Sequence, residues 1–451
     1  MEALTAQTSL DYAAGSAAIV APRSVFDTVG DLAIYRARWQ QRCAHYTIWR
    51  AYYEGTAYDN QALREALKLY SGVRQIFGPL RRAVRIDVAK VPGGWRIDAG
   101  NPDDDRAAVP TNVKAAVQQI RAWSEYRASY SRAVLHGAVA GEFGLLVVDD
   151  QVAKQVQIIP LRPDEVVLGT FADGTPFGLV LKCALVDRAG TYEYAALYTA
   201  RTVATYRNGL PHDYDGGGSD RPNLQGRVPV LLRPYRAGES GIGENAFAGA
   251  HEQLDRVNDA TSQTLDVLQR NAQPITVFTG VEEVEMTPGS DAVILPHKDA
   301  TASILAPELA VDQAVTLIQL VLNEFKNVLP QLILDSLVAR NDLAYDTVVT
   351  LCMELIDHIR EVRTHVDSAI ETAERWAIEA GQTMGLFPGV DAALHHLDPD
   401  RPVLEPGPNA KLALEQSRTT IDGAKAALVA PRAALDSPGG SQADAATKEP
   451  A

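Results

Sequence analysis

The stretch that decides the fold reads Gly226-Arg-Val-Pro-Val-Leu-Leu-Arg-Pro-Tyr235, then Gly238-Glu-Ser-Gly-Ile-Gly243, then Leu254-Asp-Arg-Val-Asn-Asp-Ala-Thr-Ser262, then Ala272-Gln-Pro-Ile-Thr-Val-Phe-Thr-Gly280. Val228–Leu232 has the β-branched, apolar character of a strand and stops at Pro234. From Phe247 the apolar residues Ala250, Leu254, Val257, Thr261, Leu265, Leu268 and Ala272 recur at steps of three or four, which predicts a helix with one apolar stripe. Pro274 ends it. A short β-like insert follows, Ile275–Phe278 and Ala292–Leu295, with the acidic run Val281–Glu285 between. A second striped helix starts near Glu308, presents Val311, Ala314, Ile318, Val321, Phe325 and Val328, and stops at Pro330.

Upstream of this pair, Leu145–Val148, Val156–Ile159, Val166–Leu168, Gly178–Cys183, Tyr192–Tyr198 and Thr202–Tyr206 are short β runs separated by Pro, Asp and Gly turns. Thr111–Leu135 reads as one helix, and Val29–Tyr53 as another with an aromatic packing face. Val84, Ile86 and Val88, then Trp95 and Ile97 across Pro92-Gly93-Gly94, alternate as a β-hairpin would. Downstream, a third helix is expected from Tyr345 to Ala380, about 36 residues and so roughly 54 Å long. Asn409–Val429 could form one more. Residues 1–24 read as a flexible arm and 431–451 as a disordered tail. The fold class is therefore α+β, β-rich first and helical afterwards.

The composition narrows the function. Over 451 residues, 46% are hydrophobic and 22% charged, which suits a chain with a real core and about three domains' worth of length. No apolar run reaches the roughly 18 residues of a membrane span, and the N-terminus lacks the charge and apolar pattern of a signal peptide. Cys43, Cys183 and Cys352 are far apart and form no CxxC pair, so neither a disulfide framework nor a zinc knuckle is expected. The net charge of −15 would repel a phosphate backbone at long range, against tight sequence-specific DNA binding.

No catalytic, cofactor or metal site stands out. Gly241-Ile-Gly243 sits too far from its strand for a dinucleotide fingerprint and reads as a loop into a helix. Glu354, His358, Glu361 and His365 share a helix face, but no second helix offers a matching set, so a solvated face is expected rather than a metal site. Arg81, Arg82, Arg85, Lys90 and Arg96 form the densest basic cluster and read as a subunit-contact or solvated face. Walker A, HExxH and GxSxG patterns are absent, and no enzyme is expected.

The order of the segments quoted first resembles the portal proteins of tailed bacteriophages, which show "lG.vPvv.f", then "g.S", a helix with "lD..N...s", and then "..P...v.G". Ser131–Asp149 is similar to that family's helix-Gly-strand passage, and the likeness spans about Asp31 to Ala430. One departure is the lack of any glycine between Gly289 and Gly381. The resemblance implies a wing (25–243, with a long wing helix at 345–385), two stem helices (244–273 and 308–329), a clip (274–307), a tunnel loop (330–344) and a crown (386–430). It also implies a dodecameric ring at one capsid vertex of the virion, assembled in the host cytoplasm. Such a ring admits double-stranded DNA driven by the large terminase subunit and meets capsid, scaffolding, head-completion and tail proteins.

On that reading Phe247, Leu254, Val257, Leu265, Ile318, Val321 and Phe325 face neighbouring subunits, and Glu282, Glu283 and Glu285 of the clip face terminase or adaptor. Gln331, Asp335, Ser336, Arg340, Asn341 and Asp342 line the channel loop. Twelve copies carry twelve times −15, or −180, a wall along which DNA slides without sticking. The alternative is a non-phage helical adaptor that assembles as a homo-oligomer.

Overall fold

The computed structural model describes residues 24–98, 108–187, 190–214, 218–238, 242–271, 275–279, 301–305, 311–334 and 345–404. It is an α+β fold. Among the described residues, six α-helices come first: α1 (Val25–Thr28), α2 (Ala33–Glu54), α3 (Gln61–Ala66), α4 (Leu80–Lys90), α5 (Thr111–Trp123) and α6 (Tyr126–Ala140). Nine strands follow: β1 (Glu142–Asp150), β2 (Gln155–Leu161), β3 (Val166–Thr170), β4 (Pro176–Asp187), β5 (Gly190–Thr199), β6 (Thr202–Arg207), β7 (Leu210–Pro211), β8 (Asp220–Pro222) and β9 (Val230–Pro234). The remainder is α7 (Ala250–Asn271), β10 (Ile275–Thr279), β11 (Thr301–Leu305), α8 (Val311–Val328), α9 (Tyr345–Leu351) and α10 (Met353–Thr383).

Two antiparallel sheets lie against each other. The smaller has the order β2-β1-β9, and the larger runs β3-β4-β5-β6-β7, with β8 also on β6. Leu146, Leu161, Val166, Val180 and Val230 fill the space between them. The far face of the larger sheet is closed by Val25, Phe26, Leu32 and the partly buried Trp39, from α1, α2 and the turn joining them. The far face of the smaller sheet carries α5, α6 and α10 and joins the main core, which runs on into α7 and the end of α8.

Three expectations are corrected. The alternation at Val84, Ile86 and Val88 is not a hairpin strand: Leu80, Ala83, Val84 and Asp87 recur at helical spacing and are the buried face of α4. The turn at Gly93 and Gly94, both at positive φ, leads instead to Trp95 and an isolated bridge between Ile97 and Leu397. The single helix expected over 111–135 breaks at Glu125, which is left-handed at φ 47°, because Ser124 Oγ turns back to donate to the Ile120 carbonyl and accepts the edge N–H of Ile158 in β2 at 2.9 Å. The long wing helix likewise breaks at the buried Cys352, into α9 and α10. The strands from Leu145 to Leu232 fall where the alternation put them.

Candidate functional site

α7 and α8 are the elements the sequence marked as a stem, and they pack on each other with the β10–β11 pair between them in sequence. Gly249, just before α7, faces Val328 at the end of α8, so the helices run antiparallel with their roots together.

Their apolar stripe changes character along its length. Leu254 and Val257 at the root of α7 are 0% and 1% exposed, whereas Leu265, two turns on, is 42% exposed. In α8 the stripe residues Ile318 and Val321 are half-buried while Phe325 is 2% exposed, so burial again grows towards the root, and Leu320, on the opposite face, is 58% exposed. Val267 and Val315 are also exposed. Of the seven residues assigned to a subunit interface, Phe247, Leu254, Val257 and Phe325 are therefore part of this chain's own core. Ile318 and Val321 are half-buried, and Leu265 alone is exposed.

The polar residues of α7 hold it down. At about 100° per residue, Asp255, Asn258, Asp259, Ser262 and Asp266 fall on a face roughly a third of a turn round from the stripe. Every one of them meets the segment between α2 and α4. Asp255 accepts from the Tyr52 hydroxyl at 2.9 Å and the Tyr58 hydroxyl at 2.7 Å. Asn258 Oδ1 accepts the Ile76 and Phe77 N–H groups, both at 2.8 Å, and its Nδ2 donates to the Phe77 carbonyl. Asp259 accepts from the Tyr70 N–H, and Ser262 Oγ from the Arg74 N–H. Asp266 pairs with Arg74 at 2.6 Å and accepts from the Tyr70 hydroxyl. The Asp-Arg-Val-Asn-Asp-Ala-Thr-Ser pattern is thus a clamp on residues 70–77, which carry no secondary-structure ladder to satisfy their own N–H groups. The helical spacing of the polar residues was visible in the sequence; the partner was not. Burial pushes the Asp255 carboxyl up to about 6 despite its two phenol donors, with Glu252 and Asp259 adding to the rise.

A second cluster gathers at the joined roots. Asp87 of α4 is fully buried, and its Oδ2 receives Tyr235 Oη at 2.9 Å, His358 Nε2 at 3.0 Å and Gln331 Nε2 at 3.3 Å. Gln331 also reaches the Ala246 carbonyl. Gln331 is thus not a channel-loop residue: it is 0% exposed in the turn directly after α8. Nor is His358 on a solvated face; Glu354 and Glu361 are, the latter paired with Arg236 at 3.2 Å. Among the described residues no group of three or more metal-ligating side chains occurs. Asp335, Ser336, Arg340, Asn341 and Asp342, and Glu282, Glu283 and Glu285, lie outside the described residues, as does the helix expected at Asn409–Val429.

Two of the remaining candidates have structural work. Gly243 and Gly141 pass so closely that a Cβ on either would come within 2.1 Å of the other's carbonyl oxygen, which is why glycine stands in that loop. Arg81 donates to the Tyr53 and Glu54 carbonyls at the end of α2, a helix C-terminus that favours a cation. Among the described residues no helix is long and apolar enough to cross a membrane.

No protein-family model matches the chain, and no curated protein matches it. Among solved structures, it is similar to a chain in the virion of a native gene transfer agent (GTA) particle, at 11% identity and a TM-score of 0.40, covering 77% of this chain and 86% of that one. It is similar also to a chain in the neck of a native GTA particle computed with C12 symmetry, at 13% identity and a TM-score of 0.40 over 76% and 85% of the two chains. A third similarity is to a chain in the neck of an empty GTA particle computed with C6 symmetry, at 12% identity and 0.41 over 77% and 86%.

Proposed function

We propose that this chain is a portal protein, a subunit of a closed ring that forms the DNA channel at one vertex of a phage-like capsid. The observation that carries the reading is the gradient of burial along α7 and α8. A helix pair seated firmly at its root, with Leu265, Val267, Val315 and Leu320 bare farther out, is completed when a neighbouring copy covers it. A head-to-tail contact that closes on itself does this for every copy without leaving an uncovered end. The ordered resemblance of residues 226–280 to portal proteins names the ring.

In this reading the ring has twelve subunits, the large terminase docks at the 274–307 end, and head-completion and tail proteins follow it there. Double-stranded DNA passes without sequence recognition, because an acidic wall holds few phosphates. The chain does no chemistry of its own. Negative-stain electron microscopy of the purified protein tests the proposal: a ring with a central opening is expected, and a compact single copy at micromolar concentration overturns it. A solid helical assembly without a channel would favour the adaptor reading.

A further inference from the structure

The cluster around Asp87 is built from five separate pieces of the chain, and those pieces are the ones that meet where α7 and α8 join the rest. Asp87 comes from α4. Tyr235 follows β9, the last strand before α7, and Ala246 lies four residues before that helix begins. Gln331 lies three residues past the end of α8, and His358 is in the first turns of α10. Both roots of the helix pair, and the helix that receives the chain after it, therefore meet in one cluster: Tyr235, Gln331 and His358 reach the Asp87 carboxylate directly, and Ala246 joins it through Gln331.

The hydrogen-bond pattern is specific. Gln331 Nε2 lies 3.3 Å from Asp87 Oδ2, 3.2 Å from the Ala246 carbonyl and 2.9 Å from His358 Nε2, and the two oxygen acceptors fix the orientation of its amide. His358 Nε2 stands 3.0 Å from Asp87 Oδ2 and 2.9 Å from the Gln331 amide nitrogen, so it donates to the carboxylate in one tautomer and accepts from Gln331 in the other, while the Tyr235 hydroxyl donates to the same carboxylate. All of these side chains are buried, so water cannot substitute for a lost donor at no cost. The surrounding apolar packing has no such specificity. Val321, Leu322, Val328 and Leu332 lie half-buried against the core, and contacts of that kind tolerate small slides of one helix on another.

We propose that Asp87 is a positioning residue: acting through Gln331 and His358, it sets the seat of the α7–α8 pair on the sheet-and-helix body. The apolar contacts supply adhesion and this cluster supplies register. The inference rests on the ring reading only in taking that pair as a stem; the joint itself is a property of one chain.

Hydrogen exchange by mass spectrometry on the full-length protein, in whatever assembly it forms, tests it with Gln331→Leu, His358→Leu and His358→Gln. Gln keeps an N–H donor near the position of His Nε2. We expect exchange over 246–271 and 311–334 to rise about tenfold or more in the two Leu variants, to return within about twofold of wild type in His358→Gln, and to stay unchanged in β3–β6. A rise spread equally over the sheet, no rise at the roots, or a failure of Gln to restore protection would overturn the proposal. If His358→Leu yields no folded protein, His358→Asn, which shortens the donor, takes its place in the same comparison. Rings with unaltered exchange in the Leu variants would sink the joint and keep the portal reading; altered exchange in a protein that forms no rings would do the reverse.

Discussion

Asp255 shows how a single residue can be legible in type and illegible in role. Its spacing with Asn258 and Ser262 stands in the sequence, yet its partners Tyr52 and Tyr58 are some two hundred positions away, and only the folded chain brings them together. Because burial raises its carboxyl to about 6 from an ordinary value near 4, the neutral form is favoured in the native state. Its contribution is present in full below the unfolded value and is lost as pH rises through about 6. Chemical denaturation should show wild type losing on the order of 2–3 kcal/mol relative to Asp255→Asn between about pH 4 and pH 6.5. Parallel curves for the two would refute the assignment. Glu374 has the opposite sign. Burial alone would raise it, but Arg121 at 2.6 Å, with His395, outweighs burial and holds it at about 2. Stability from Glu374 is present above its unfolded value and is lost as pH falls towards 2. Glu374→Gln should cost about 3–5 kcal/mol near neutral pH, since it strands the buried Arg121, and the deficit should shrink as the acid limit is approached.

At the scale of elements, the strands and the two striped helices were legible because period and turn residues agree along them. Two of the misreadings share a cause. Val84, Ile86 and Val88 alternate by chance on a helix whose true face is Leu80, Ala83, Val84 and Asp87, and only tertiary burial decides between the two periods. A stripe likewise says that a face is covered, not by what. For Leu254 and Phe325 the cover is this chain, whereas Leu265 on the α7 stripe and Leu320 on the opposite face of α8 stay 42% and 58% exposed. The two classes predict different failures. Leu254→Ala should cost about 2–5 kcal/mol of protomer stability, read as a lowered denaturation midpoint. Leu265→Asp and Leu320→Asp should leave the circular dichroism spectrum and the midpoint of the isolated chain unchanged but shift sedimentation from rings to monomers or small oligomers. Rings of normal size in both would show that these residues do not face a neighbour.

For the whole molecule, the portal reading predicts weak and salt-sensitive binding of duplex DNA. Fluorescence anisotropy with assembled protein should give no saturable binding near physiological salt, and tight sequence-dependent binding would contradict a conduit. The class of fold was legible from the order of β runs and long helices, but the joint was not. Asp87, Tyr235, Gln331 and His358 carry no shared pattern, and four polar residues scattered over about 270 positions acquire meaning only as neighbours. If the chain assembles into the proposed ring, the gradient of burial along α7 also divides its life into two stages. The first turns are sealed as soon as one polypeptide collapses, at any dilution, while the remaining turns keep their apolar side chains wet until another copy arrives. On the ring reading, a newly made subunit is thus a finished body carrying an unfinished pair of helices, and the concentration of its siblings in the cell decides how long that surface stays open to the wrong company.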